Sequence, residues 1–305
     1  MTAAPHPEAL RRRLEAVRER TLALVAPLDW AALRKQHVSI LSPMVWDLGH
    51  IGNFEELWLV RALGGAPLED RYDRMFDAVA NPRPTREALP LPDRSGLFDY
   101  LGRVREATLA ILDEAAGTAR PAGDPLTAGG FAWEMVAEHE EQHQETLLQE
   151  MQAMAEPLYV PGVRRRPPPR GPVPDEMIEI PAGPFVLGTD RPDFAYDNER
   201  RAHEVDLPAL ALDPAPVTHR AYLEFIAAGG YRERGFWSEA GWRWREETAA
   251  EAPLYWRRGE GSRWQQRRLD REDEPPPAEP VTHVSYWEAE AYARFAGKRL
   301  PTKAE

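Results

Sequence analysis

Apolar residues recur at helical spacing through the first 155 residues of the chain. One amphipathic face is marked by Leu10, Leu14, Val17, Thr21 and Leu24, the spacing of a helix that buries one stripe. The same pattern predicts three further helices, at about 43–63, 97–111 and 131–154. Ser42-Pro43 predicts the start of the second, with a hydroxyl N-cap before a first-turn proline. Helices with one apolar stripe each predict a four-helix bundle.

The pattern changes after a proline-rich stretch. Residues 161–175 hold six prolines in fifteen positions, and proline both removes an amide donor and fixes φ. We therefore predict an extended linker over 159–175, between a helical domain at 1–158 and a second domain at 176–305. Short β-prone runs then alternate with long loops, at 177–180, 185–188, 203–207 and 281–284. Two short helices are expected, after Thr218 and at the Ser285–Glu288 capping box.

These elements predict an α+β protein of two domains. Thr302-Lys-Ala-Glu305 is itself a capping-box pattern. From it we expect a helix to begin where the sequence stops, and the second domain to be incomplete.

Charge and composition exclude several classes of function. The net charge of −12 argues against a nucleic-acid surface, which requires a basic patch. No stretch approaches the roughly 20 apolar residues of a membrane helix, and the first residues lack a signal-peptide core. We therefore predict a cytoplasmic protein without a membrane partner. Cysteine is absent, so a metal would have to be held by His, Asp or Glu.

Three histidines are candidate metal ligands. His139 and His143 lie four residues apart on the last predicted helix of the bundle, so both imidazoles project from one face. His50 lies on another inward-facing helix. A pair of core histidines satisfied by hydrogen bonds is the structural alternative. Three imidazoles from two helices favour a divalent metal with an open face, as in the facial triads of non-haem iron(II) oxygenases.

The string His139-Glu-Glu-Gln-His143 also matches the H-E-x-x-H motif of zinc proteases. That motif requires a third ligand downstream, and the metzincin continuation would need Gly at 146 and His at 149. The chain has Thr146 and Gln149. The protease therefore remains an alternative that the continuation does not support.

Other polar residues near the histidines allow two interpretations each. Arg83 and Arg86 lie on a proline-punctuated loop, either as a bidentate clamp for a carboxylate substrate or as exposed surface. Asp47 is either a hydrogen-bond partner of a ligand imidazole or a structural residue. The acidic residues beside the histidines are expected on solvated helix faces, and these are Glu138, Glu140, Glu141 and Glu145.

Two sets of motifs resemble known families. Ser42-Pro-Met-Val-Trp-Asp-Leu-Gly-His50 with the 139–146 string resembles the metal-binding DinB-like helical bundle. The stretches 180–188, 197–205, 216–218, 280–285 and 299–302 resemble the sulfatase-modifying-factor (formylglycine-generating-enzyme-like) domain, a C-type-lectin-like fold. Together and in this order they resemble the sulfoxide synthases of ergothioneine biosynthesis, the hercynine oxygenases.

The resemblance implies a mononuclear non-haem iron(II) enzyme with small-molecule substrates. Such enzymes use O₂ to join the thiol of γ-glutamylcysteine to the imidazole C2 of Nα-trimethylhistidine (hercynine), with sulfoxidation. By position, His50, His139 and His143 match the three iron ligands. Gln142 matches a residue that contacts the trimethylhistidine, and Arg83 with Arg86 match the pair that grips the thiol substrate's carboxylates. The proton-donating Tyr of the family is expected beyond Glu305.

Proteins with a similar domain architecture catalyse other reactions, so other functions remain open for this chain. Ovothiol-type synthases act on unmethylated histidine, and selenoneine synthases take a selenosugar as the donor. A DinB-like thiol transferase would use zinc or nickel at the same triad but would not need the second domain.

Overall fold

The computed structural model describes residues 7–117, 126–156, 158–162, 176–191 and 194–305. The chain forms two compact units. One consists of Met1–Val160 with Thr189–Arg201, and the other of Pro161–Gly188 with Ala202–Glu305. The predicted second domain included Thr189–Arg201, which instead packs with the helical unit. The predicted linker lies mostly outside the described residues, and the domain boundaries stay a prediction.

Four long helices form the helical unit, as the apolar periodicity predicted. They are α1 (Pro7–Val25), α3 (Met44–Glu55), α5 (Arg94–Gly117) and α6 (Phe131–Ala153), with the short α2 (Trp30–Arg34) and α4 (Arg71–Met75) between them. Helix α1 packs on α6 and α5, and α3 packs on α5 and α6. Their shared core is apolar, and its buried members are Leu10, Leu14, Val17, Leu59, Leu63, Leu112, Ala132, Trp133, Val136 and Ala137.

The predicted second helix of the bundle differs at both ends. Pro43 rather than Ser42 is the N-cap of α3, and no side chain caps the helix. The Ser42 hydroxyl accepts a hydrogen bond from Arg86 (2.6 Å). After α3 the chain continues as a π-helix, Glu56–Arg61. The Glu56 carboxylate, five residues before Arg61, accepts hydrogen bonds from Arg61 Nε (2.7 Å) and Tyr100 Oη (2.7 Å), which stabilises this wider turn.

The second unit is α+β. Its strands are β1 (Ile178–Ile180), β2 (Gly183–Leu187), β3 (His203–Leu207), β4 (Leu210–Leu212), β5 (Trp256–Arg258), β6 (Trp264–Arg268) and β7 (Arg271–Asp273). They pair antiparallel as β1–β4, β2–β3 and β5–β6–β7. Helices α7 (His219–Ala227), α8 (Glu239–Thr248) and α9 (Tyr286–Phe295) complete it. Its core is largely aromatic, with Tyr222, Phe225, Tyr231, Trp237 and Ala291.

The cap signals in the second unit are confirmed, and one predicted strand is wrong. Thr218 Oγ1 accepts from Ala221 N at the start of α7 (3.3 Å), and Ser285 forms the predicted capping box of α9. Residues 281–284 form no strand, since His283 has a left-handed φ of 62° that interrupts extended backbone. At Thr302 and Glu305 the two reciprocal capping-box hydrogen bonds are present (2.8 and 3.3 Å).

Candidate metal centre

The three histidines predicted from the sequence meet between α3 and α6. His50 projects from α3, and His139 and His143 project from successive turns of α6. One ring nitrogen from each lies within 4.8 Å of the others, and the ring centroids are 4.7–5.1 Å apart. Three imidazoles from two rigid helices are therefore placed to face a single ion.

The neighbours of His50 fix the orientation of its ring and determine which ring nitrogen carries the proton. Its Nδ1 lies 2.7 Å from the Phe76 carbonyl oxygen, which can only accept, so Nδ1 carries the proton and Nε2 is left with its lone pair available to a metal ion. Phe76 approaches closely because Gly49 has no side chain; a Cβ there would lie 2.1 Å from the Phe76 ring. On its other side the imidazole stacks on Trp46, at 4.9 Å between ring centroids.

The two histidines of α6 have different neighbours. The His139 ring stacks on Phe54 of α3, with centroids 3.8 Å apart. His143 Nδ1 lies 3.1 Å from Asp47 Oδ1, and the Asp47 side chain is buried. The sequence left Asp47 open between a partner of a ligand imidazole and a structural residue. The structure brings it next to His143.

The electrostatics of the centre suit a metal. Burial lowers the pKa of His50 to about 4 and that of His139 to about 2, and the neighbouring His143 acts in the same direction. Both rings are therefore neutral at pH 7, which is the form that binds a metal ion. A set of three imidazoles that leaves further coordination positions open fits a divalent first-row metal such as iron(II).

Glu140, between the two histidines of α6, does not lie on a solvated face as the sequence predicted. Its side chain is 2% exposed and faces the bundle core. It accepts hydrogen bonds from Arg18 Nε (2.7 Å), Arg105 (3.1 Å) and the Thr21 hydroxyl (2.7 Å). The prediction was wrong because a buried carboxylate and a solvated one look alike in sequence when the paired cations lie on other helices, here 35 residues away for Arg105 and 122 for Arg18.

Glu140 belongs to a buried ring of charges, formed with Arg18, Glu55 and Arg105. Arg18 lies 2.8 Å from Glu55, and Arg105 lies 2.7 Å from Glu55. Burial opposes ionisation of Glu55, but Arg105 and Arg18 outweigh it and lower its pKa. The ring takes one side chain from each of α1, α3, α5 and α6, and two of its members share helices with the histidines.

This ring also bears on the zinc-protease alternative. In an H-E-x-x-H protease the Glu after the first His acts as the general base. Here that residue is Glu140, whose oxygens are occupied by two guanidinium groups and a hydroxyl in the bundle core. The carboxylate is therefore not placed to activate a water at the three histidines.

The two arginines of the predicted clamp differ in their surroundings. They lie on a 3-10 turn, Arg83–Ala88. Arg83 is exposed. Arg86 is only 5% exposed and donates to Asn81 O (2.8 Å), Ser42 Oγ (2.6 Å) and Ala78 O (3.4 Å). Its guanidinium also lies over the Trp46 ring, 3.5 Å from the centroid. Arg86 thus packs on the Trp46 indole, which in turn stacks on His50. The sequence of the loop does not predict this contact.

Gln142 immediately precedes His143 on α6, and its side chain is exposed. It is therefore free to contact a molecule bound beside the histidines. No helix among the described residues combines the length and apolarity needed to cross a membrane.

The fold and the site together define a class of protein, a helical bundle with a three-histidine centre joined to an α+β domain. Comparison with known families agrees. Residues 13–147 match the DinB superfamily, and residues 164–305 match the sulfatase-modifying factor enzyme 1-like domain. The predicted two-domain α+β fold is confirmed.

Relatives that match nearly the whole chain identify the family. The chain is 44% identical to the hercynine oxygenase of Mycolicibacterium thermoresistibile, over 99% of this chain and 66% of that protein. It is 41% and 40% identical to those of Mycolicibacterium smegmatis and Mycobacterium tuberculosis, each over 98% of this chain and 68% of the relative. The bovine formylglycine-generating enzyme is 34% identical over 49% of the chain.

The chain belongs to the hercynine oxygenase family. The resemblance seen in the sequence and the prediction of an oxygenase are thereby confirmed at the level of the family. The chain spans about two thirds of the length of these relatives.

Proposed function

We propose that the protein is an iron(II)-dependent sulfoxide synthase that joins γ-glutamylcysteine to Nα-trimethylhistidine with O₂. The observation that carries this proposal is the cluster of His50, His139 and His143, with ligand atoms within 4.8 Å of one another, in a chain of the hercynine oxygenase family. The predicted cytoplasmic location stays a prediction.

The residues around the centre have separate tasks in this proposal. His50, His139 and His143 hold iron(II), which when bound would supply open coordination positions where thiol and O₂ react within one complex. Phe76 O and Trp46 keep His50 oriented. Gln142 contacts the trimethylhistidine from the exposed side of α6. Arg83 binds a carboxylate of the thiol substrate. Arg86 stabilises the loop that carries Arg83 through its hydrogen bonds to Asn81 O and Ser42 Oγ.

The proposed reaction is tested on the full-length gene product, loaded anaerobically with iron(II). Oxygen uptake and mass spectrometry follow the product when γ-glutamylcysteine and trimethylhistidine are supplied together. We expect O₂ consumption and a sulfoxide that carries both substrates. Parallel reactions replace trimethylhistidine by histidine, or the thiol by a selenosugar. A better rate with either replacement would overturn the assigned substrates in favour of an ovothiol-type or a selenoneine synthase.

The two arginines allow a sharper test of substrate binding. Arg83→Ala should weaken γ-glutamylcysteine binding roughly ten- to hundredfold, since a charge-assisted hydrogen bond contributes about 1.5–3 kcal/mol. The melting temperature should not change, because the Arg83 side chain is exposed. Arg86→Ala should instead lower the melting temperature, because it leaves the Ser42 hydroxyl and the Asn81 carbonyl without their donor.

Binding is measured by titration calorimetry with each substrate in turn, and stability by thermal denaturation. Arg103→Ala, at an exposed position of α5, is the matched control. Trimethylhistidine affinity should be nearly unchanged in Arg83→Ala. Equal weakening for both substrates, or no weakening for either, would contradict the carboxylate role of Arg83.

A further inference from the structure

Aromatic side chains follow one another at four-residue spacing along α3 and into the π-helix after it. They are Trp46, His50, Phe54 and Trp58. Residues four apart lie on one face of an α-helix, so their rings form a row. Successive ring centroids in this row are 4.9, 6.4 and 6.1 Å apart. The row meets α6 at His139, whose ring centroid lies 5.1 Å from that of His50 and 3.8 Å from that of Phe54.

The three histidines differ in what orients their rings. His50 Nδ1 lies 2.7 Å from the Phe76 carbonyl oxygen. His143 Nδ1 lies 3.1 Å from Asp47 Oδ1. His139 has no hydrogen-bond or ion-pair partner among the residues that the structure describes. A metal-binding imidazole is almost always oriented by a polar group at its second ring nitrogen, so at His139 another contact must serve.

The Phe54 ring provides that contact. It lies nearly parallel to the His139 ring, with an interplanar angle of 14°, and the 3.8 Å between their centroids is van der Waals distance. The last torsion of a histidine side chain is otherwise broad. Rotation of this imidazole about its Cβ–Cγ bond would drive one edge into the Phe54 ring. The stack therefore fixes the plane of the His139 ring.

We propose that Phe54 is a positioning residue of the metal centre, which holds the His139 imidazole by stacking on its face. The proposal rests on the proposed metal site at the three histidines. A ligand nitrogen binds an ion only when its lone pair points at the ion, and ligand side chains must be held within about 10–20° of that orientation. Helix α3 thus supplies one ligand, His50, and the ring that orients another.

The alternative role of Phe54 is to fill the core, since it is half-buried and packs on the apolar core of the bundle. Phe54→Leu keeps an apolar side chain but removes the flat ring, whereas Phe54→Tyr keeps the ring. Phe98→Leu, at a half-buried phenylalanine of α5, is the matched control. Should Phe54→Leu not fold, as judged by circular dichroism, Phe54→Met provides a second side chain without a ring.

Each variant of the full-length gene product is titrated with cobalt(II) alone, in competition with a chelator, and the visible cobalt(II) bands are recorded. We expect Phe54→Leu to weaken cobalt(II) binding about three- to tenfold, which is the contribution of one aromatic pair, and to change the bands. Phe54→Tyr and Phe98→Leu should match the unmodified protein within about twofold. Unchanged binding and bands in Phe54→Leu, or an equal loss in Phe54→Tyr or Phe98→Leu, would overturn the proposal.

Two further variants separate this proposal from the metal site beneath it. If His139→Ala binds cobalt(II) as tightly as the unmodified protein, the three-histidine site itself is wrong. If His139→Ala weakens binding, Phe54→Leu added to it should cause no further loss, because the ring that Phe54 orients is already gone. A further three- to tenfold loss in the double variant would leave the site in place and show that Phe54 does not act through His139.

Discussion

Replacing His50 with alanine is expected to weaken iron(II) binding by roughly two orders of magnitude or more. Outer partners of metal ligands are already worth about 10–100-fold in affinity, and His50 is proposed as a direct ligand. The bundle should stay folded, since the substitution removes one hydrogen bond, to Phe76 O, worth about 1 kcal/mol. Metal content after anaerobic loading and a chelator competition measure the first effect, and circular dichroism measures the second.

His37→Ala is the matched control for this experiment. His37 is a partly buried histidine of the same unit whose Nε2 lies 3.0 Å from the Ala32 carbonyl oxygen, and it lies outside the three-histidine cluster. Its substitution should leave iron(II) affinity unchanged. Full metal occupancy in His50→Ala, or an equal loss in His37→Ala, would show that the ligand set is not the one proposed.

The buried ring of charges carries the largest expected effect on stability. Arg105→Met leaves Glu55, which is fully buried, without two of its hydrogen bonds (2.7 and 3.0 Å). Removing one partner of a buried ion pair costs about 3–5 kcal/mol, because the remaining charge loses its compensation away from water. We expect the free energy of unfolding of the helical unit to fall by about that amount in urea denaturation.

An exposed ion pair of the same chemistry provides the control. Arg11 contacts Asp113 at 2.6 Å, but the side chains are 32% and 66% exposed. Arg11→Met should therefore cost far less stability than Arg105→Met, because solvent screens an exposed pair. Similar losses in the two variants would mean that burial of the ring contributes nothing beyond an ordinary surface pair.

The histidine cluster was accessible from sequence because it follows helix geometry. The four-residue spacing of His139 and His143 places both on one face of α6, and the apolar residues around them show that this face is buried. His50 needed only the same argument on α3. The cap signals at Thr218 and Ser285 were equally local, since each depends on residues within one turn.

The partners of the charged residues could not be predicted in this way. Glu140 looked solvated because nothing near it in sequence is basic, and Arg18 meets it only once α1 packs on α6. Arg86 is similar, since its acceptor Ser42 and its indole neighbour Trp46 precede it by about 40 residues. Periodicity shows which face of a helix is apolar, but it does not show which charge is paired inside the core.

Thr189–Arg201 belongs to the helical unit, and this affects where the gene can be cut to express that unit alone. A fragment that ends at the proline-rich stretch would retain Phe131 at the start of α6 but lose Phe194, whose ring centroid is 5.4 Å from it. It would also lose Tyr196, which packs edge-on against Phe194 (4.9 Å). The chain passes from one unit to the other after residues 160, 188 and 201. The helical unit therefore cannot be cloned as one uninterrupted segment without either omitting part of itself or including part of its neighbour.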